Sequence, residues 1–137
     1  PRRLTVSMEL DILPPGGEAQ RELISGVLGE LSGFHSRNGV YADGVGVETA
    51  TLPRGWETRL VAYANANTNG VTAHCLEPHD LIVSKLKAGR EKDHEFIEAA
   101  FRARVVEVDV VCARRDQTSI EPEEIERLKL RAKRLAT

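Results

Sequence analysis

The stretch DLIVSKLKAGREKD, Asp80–Asp93, decides how the C-terminal half of the chain is read. At about 3.6 residues per turn, a helix over Asp80–Ala88 puts Leu81, Ile82 and Leu86 on one face, with Lys85 in the middle of that face. A second helix over Glu91–Arg104 has Phe96, Ile97, Ala100 and Phe101 as its apolar stripe, with Asp93 in its middle. An amphipathic helix keeps its charges on the opposite side. Two violations of opposite sign, one on each side of Gly89, point to a site. The competing reading is a structural ion pair, within this cluster or with partners elsewhere. Desolvation can outweigh attraction in a buried pair, which leaves room for a functional role. Lys85 suits a phosphate as a point charge, and Arg90 suits one as a planar fork. Asp93 would orient a base or hold a lysine. Lys85 and Asp93 are expected to converge within salt-bridge reach of each other or of a groove at Glu9 and Asp11.

That groove comes from the other end of the chain. LTVSMELDI, Leu4–Ile12, alternates with a period of about 2. Leu4, Val6, Met8, Leu10 and Ile12 share one face and Thr5, Ser7, Glu9 and Asp11 the other, the pattern of a half-buried strand. Glu9 and Asp11 therefore face the same way, at one end of an expected central strand. Paired carboxylates at a strand end suit Mg²⁺ beneath a triphosphate. The alternative is a solvated strand face.

Between these stretches the pattern predicts an α-helical run through Leu23, Ile24, Val27, Leu28 and Leu31, then a Gly-rich loop with an extended piece at Val40–Asp43. ETRLVAYAN and VTAHCLE read as strands around an ANTNG turn. Pro78 suits the first turn of a helix and Gly89 its end. RVVEVDVVCA reads either as a strand or as a short helix over Val110–Arg115 capped by Asp109. A final helix starts at Pro122 with acids and ends with bases, as its dipole favours. His74, Cys75 and His79 match no zinc spacing, and the bland reading puts Cys75 in a strand core. Arg127, Arg131 and Arg134 line one side of the last helix, either a solvated face or an RNA-binding stripe.

The composition narrows the classes. The chain has 137 residues, 41% hydrophobic and 29% charged, with a net charge of −2. It fits one domain and predicts no bulk attraction to nucleic acid or membrane. Two cysteines make no disulfide framework, so a reducing, cytoplasmic setting is expected.

Taken together, SMELDILP, SGFHSRNGVYADGVGVETATLPRGWETRLV, NANTNG and CLEPHDLIVSKLKAGREKDHEF resemble a family of small bacterial proteins with a DUF6036-type domain. That family is related to the nucleotidyltransferase fold of the AbiEii type, found among toxin–antitoxin and phage-defence proteins. The resemblance covers most of Thr5–Val106. It implies an α+β (α/β) fold, a small mixed sheet flanked by helices with a C-terminal helical segment. Residues 1–78 would form the sheet core, and 79–137 helices packed on it in the same domain. In the wider superfamily a Gly-Ser loop binds the triphosphate and a D-x-D strand binds metal. The AbiEii-type branch adds a helical Lys and an R-x-K/R-D element. Glu9 and Asp11 match the D-x-D, with Glu for the first Asp. Lys85 matches the helical Lys, and Arg90, Lys92 and Asp93 match the last element.

The resemblance thus implies Mg²⁺ or Mn²⁺ with NTP at Glu9 and Asp11, nucleotide binding by Arg90 and Lys92, and catalytic roles for Lys85 and Asp93. It implies transfer of a nucleotide to an RNA or protein acceptor. It also favours helix over strand at Val110–Arg115. No Gly-Ser motif precedes Glu9, so the chain is expected to lack that segment and to leave a sheet edge open to a second copy. The other class is a non-catalytic binding module of the same fold, such as an antitoxin partner.

Overall fold

The structure is a computed structural model and describes residues 7–137. It forms two compact units, a first ending at Ala50 and a second spanning Thr51–Thr137. The described residues are mixed α and β, in line with the α+β class read from the sequence. No described helix is long and apolar enough to cross a membrane.

In the first unit β1 (Glu9–Ile12) pairs in parallel with β2 (Tyr41–Gly44). Parallel strands need a crossover, and helices α1 (Glu18–Leu28) and α2 (Gly33–Asn38) supply it. The register sets Glu9 beside Tyr41 and Asp11 beside Asp43. Helix α1 packs on β2. Its Ser25 hydroxyl accepts the Gly44 N–H at 3.0 Å, and a Cβ at Gly44 would collide with the Arg21 backbone.

Two expectations fail here. The helical run through Leu31 stops at Leu28, because Gly29 lies against the Ser25 carbonyl and Leu31 takes φ 65. The apolar face of the first strand is also not buried. Met8 is 55% and Leu10 61% exposed, and Leu23 and Val27 on α1 are exposed as well. Alternation fixes which side chains share a face, but burial needs a covering layer. Helix α1 covers β2 and leaves β1 at the ladder edge. Among the described residues β1 has one neighbour, β2, where the expected central strand would have two. Leu4, Thr5 and Val6 lie outside the described residues.

The second unit opens with a hairpin, β3 (Val61–Tyr63) and β4 (Ala73–Cys75), antiparallel and exposed throughout. Its turn carries Asn69 at φ 50 and Gly70 at φ 79, the paired positive values that Asn-Gly adopts readily. Among the described residues the strands form two two-stranded ladders, one in each unit. Cys75 is on a strand, as expected, but exposed, like the rest of the hairpin.

Four helices make the core: α3 (Pro78–Ala88), α4 (Glu91–Arg102), α5 (Val108–Arg115) and α6 (Pro122–Leu135). Ile82, Val83, Leu86, Ile97, Ala100, Val111, Leu128 and Ala132 are buried between them. Each fully buried Val, Leu or Ile contributes about 1.5–3 kcal/mol. RVVEVDVVCA resolves as a helix. Val106 is buried and α5 starts at Val108, so Asp109 sits in its first turn rather than capping it.

Candidate functional site

Helix α3 ends because Gly89 takes the left-handed conformation at φ 66, and its N–H donates to the Lys85 carbonyl at 2.9 Å. Arg90 is then extended, and α4 begins at Glu91. This tight turn folds Asp93 back onto the loop. Its Oδ2 accepts the Arg90 backbone N–H at 3.2 Å, so the carboxylate caps the start of α4, where the helix dipole favours a negative charge.

The same carboxylate gathers two cations. Arg90 forks onto it, Nε to Oδ2 at 2.7 Å and Nη2 to Oδ1 at 3.2 Å. Lys85 Nζ reaches Oδ1 at 3.3 Å and stands 4.8 Å from the centre of the Phe96 ring, within cation–π range. Asp93 is fully buried, which by itself pushes its carboxyl up. The Arg90 hydrogen bonds and the Lys85 and Arg90 charges outweigh that and hold it below the usual carboxylate value. The two cations keep an open side: the Lys85 side chain is 26% and the Arg90 side chain 56% exposed. An ammonium has three donors, and Asp93 takes one of those on Lys85. The cluster is a carboxylate that fixes two positive groups at a surface, an arrangement suited to binding an anion. Lys92 stands exposed in the first turn of α4.

In the first unit, Glu9 and Asp11 stand two apart on β1, and the parallel register adds Asp43 beside Asp11. The Tyr41 hydroxyl reports their field. Its pKa is raised, first by desolvation and then by Glu9, Glu30, Asp43 and Asp11. Asp43 was not anticipated as part of this acidic set; its signal is the strand register, which the sequence does not print. Gly29 lets it approach, since a Cβ there would lie 2.6 Å from Asp43 Oδ1. Among the described residues no three His, Cys, Asp or Glu side chains come together as a ready-made cage. A Mg²⁺ ion commonly takes one or two carboxylates, with water and phosphate completing its shell, so two acids on one strand face fit that class.

Sequence reasoning missed a second charged cluster. Asp80 is fully buried at the start of α3. Arg59 forks onto it at 2.9 and 3.1 Å, and Arg114 Nη1 from α5 reaches it at 2.8 Å. His79 is held on both sides: Nδ1 lies 2.5 Å from Glu77, and Nε2 accepts the Glu107 N–H at 3.1 Å. That geometry puts the proton on Nδ1 and ties the α3 start to the α5 start. The ring is committed to these partners, which does not favour His74, Cys75 and His79 as a metal set. Arg115 is also buried. It donates to the Val83 carbonyl at 3.0 Å, and burial lowers its pKa to about 10.

A family model described as "Nucleotidyltransferase of unknown function (DUF6036)" matches residues 11–135. No curated protein and no solved structure matches. The matched span takes in Asp11, Lys85, Arg90, Lys92 and Asp93. The chain belongs to the DUF6036 family of nucleotidyltransferases of unknown function.

Proposed function

We propose that the protein transfers a nucleoside monophosphate from an NTP to an acceptor hydroxyl. The acceptor oxygen attacks the α-phosphorus, the bond to the β-phosphate oxygen breaks, pyrophosphate leaves, and the hydroxyl proton passes to solvent or a base. The observation that carries this reading is the cluster in which buried Asp93 fixes Lys85 and Arg90 with their outer sides exposed. Lys85 and Arg90 neutralise phosphate oxygens, and Lys92, exposed in the first turn of α4, adds a third positive charge to the same stretch of chain. Asp93 is a positioning residue: a carboxyl already bonded to two cations, with a lowered pKa, is a poor proton acceptor. Glu9 and Asp11 of the first unit would hold Mg²⁺ or Mn²⁺, an ion whose chemistry is charge neutralisation.

A second reading is a non-catalytic module that binds a protein partner, for instance within an AbiEii-type toxin–antitoxin or phage-defence pair. Exposure of Met8, Leu10, Leu23 and Val27 in the first unit favours it. A panel of labelled NTPs with Mg²⁺ or Mn²⁺ separates the two. The transferase reading expects label transferred to an acceptor by the wild type and not by Lys85→Met. Absence of both NTP binding and transfer in a folded protein would leave the binding module standing.

A further inference from the structure

Helix α6 buries Leu128 and Ala132 and turns another face outward. On that face Arg127, Leu130, Arg131 and Arg134 line a shallow open groove of about 260 Å³. The other charges nearby are already engaged. Lys129 is bound to Asp116 and Glu126, and Lys87 to Glu124. Arg127 and Arg134 close no ion pair among the described residues. Arg127 lies in the field of Glu124, whose carboxyl is lowered chiefly by its bond to Lys87. The three guanidinium groups span about 10 Å of helix at ~1.5 Å per residue.

Arg131 gives the groove a fixed end. Its Nη1 donates to the Leu86 carbonyl at 3.3 Å, one of the last carbonyls of α3, which lack helical partners. The same atom lies where a Cβ on Gly89 would stand 2.9 Å away. Gly89 is the residue before Arg90. One arginine of the groove therefore touches the α3 end and the turn that precede Arg90, and both the groove and the Lys85–Arg90–Asp93 cluster belong to the second unit. Leu130 is 67% exposed between the arginines, an apolar surface against which a sugar or base can lie.

We propose that the arginine face of α6 docks the phosphodiester backbone of a single-stranded nucleic acid, whose end is the acceptor. The identification as acceptor rests on the transferase reading above; the docking itself does not. Guanidinium forks match phosphate oxygens, and the exposed Leu130 has a use against a nucleotide that a run of carboxylates would not give it. The arginines reach phosphates, so binding is independent of sequence and steeply salt-dependent.

The test measures fluorescence anisotropy of labelled oligo-uridine RNA and oligo-deoxythymidine DNA with the whole protein, across about 50–200 mM salt. Arg127→Ala/Arg134→Ala is compared with the wild type, and an oligo-glutamate peptide serves as competitor. Both arginines are exposed and off the core, so the variant should melt with the wild type. It is expected to bind either strand about tenfold more weakly, with the salt slope reduced by about 0.7 for each phosphate that an arginine no longer neutralises. A preference for RNA or DNA then identifies the sugar. Unchanged binding by the variant, no strand binding by the wild type, or equal competition by oligo-glutamate each overturns the proposal. NTP binding, measured separately, should be equal in the two proteins. If strand binding passes while NTP transfer fails, the groove stands as a nucleic-acid surface and the transferase reading falls alone.

Discussion

Lys85 and Asp93 sit eight residues apart on successive helices, and their charged groups meet at 3.3 Å beside the Phe96 ring. The meeting is lopsided. Asp93 is sealed from water and has a second cation in Arg90, while Lys85 keeps a quarter of its side chain exposed. Asp93 therefore depends on its neighbours more than Lys85 depends on Asp93.

Replacing Lys85 with Met should consequently spare the fold. Arg90 still satisfies Asp93, and a partly exposed pair contributes about 0–1 kcal/mol. Thermal melting should move little. NTP-dependent label transfer should fall by about 10²–10³-fold, the usual loss of one preorganised charge at a developing anion. A variant that melts early or transfers normally would contradict this division of roles.

Asp93→Asn should act on stability and on its pH dependence together. The lost charge leaves two part-exposed cations, which costs about 1–3 kcal/mol in urea unfolding. In the wild type the Asp93 carboxyl is held low, so the folded state binds fewer protons than the unfolded state does. Its contribution is complete above the ordinary Asp value of about 3.9 and disappears as pH falls through the depressed value. Glu77, lowered by its bonds to His79 against the pull of burial, adds a slope of the same sign. The melting temperature should drop on acidification below about pH 4. The drop should be shallower in Asp93→Asn, and an unchanged acid limb would remove Asp93 from the account.

Asp80→Ala should be the more damaging carboxylate loss. It takes the bonded carboxylate from two largely buried arginines, leaving Arg114 only its longer 3.8 Å contact with Glu77, and breaking such a cluster costs about 3–5 kcal/mol. Urea midpoints for the two variants give the comparison directly. Asp80→Ala is expected to unfold first.

Gly89→Ala tests the turn. A left-handed residue with a Cβ costs about 1 kcal/mol, and this Cβ would also press on Arg131. The variant should melt slightly lower and bind labelled oligo-uridine more weakly than Gly26→Ala, where a Cβ meets nothing within 4 Å. Equal strand binding by the two would separate the turn from the groove.

Much of the second unit was legible because its signals are local. The helical period placed Lys85 and Asp93 in their stripes, and Gly89 made the two helices neighbours, so their convergence followed from about 14 residues of chain at ~3.6 per turn. Asp80 escaped the same reading. As an acid in a first helical turn it looks like an ordinary complement to the dipole. Its arginine partners are 21 and 34 residues away, and no local pattern carries that information. One clue was present: Asp80 stands three and six residues before the buried Val83 and Leu86. The first strand shows the reverse limit. Alternation located Glu9 and Asp11 correctly on β1, yet it could not foresee that Leu10 would be 61% exposed.

The sharing of Asp80 by Arg59 and Arg114 has a consequence for how this family can change over time. Three positions from separate segments answer to one charge, so their substitutions are epistatic. Losing Arg114 raises the importance of Arg59, and losing Asp80 makes both arginines a burden. An apolar trio of similar volume would be tolerated or even stabilising, but each single step towards it crosses a less stable intermediate. Positions 59, 80 and 114 should therefore vary in company across relatives, and the order in which the changes arrive decides whether a lineage keeps a folded protein throughout.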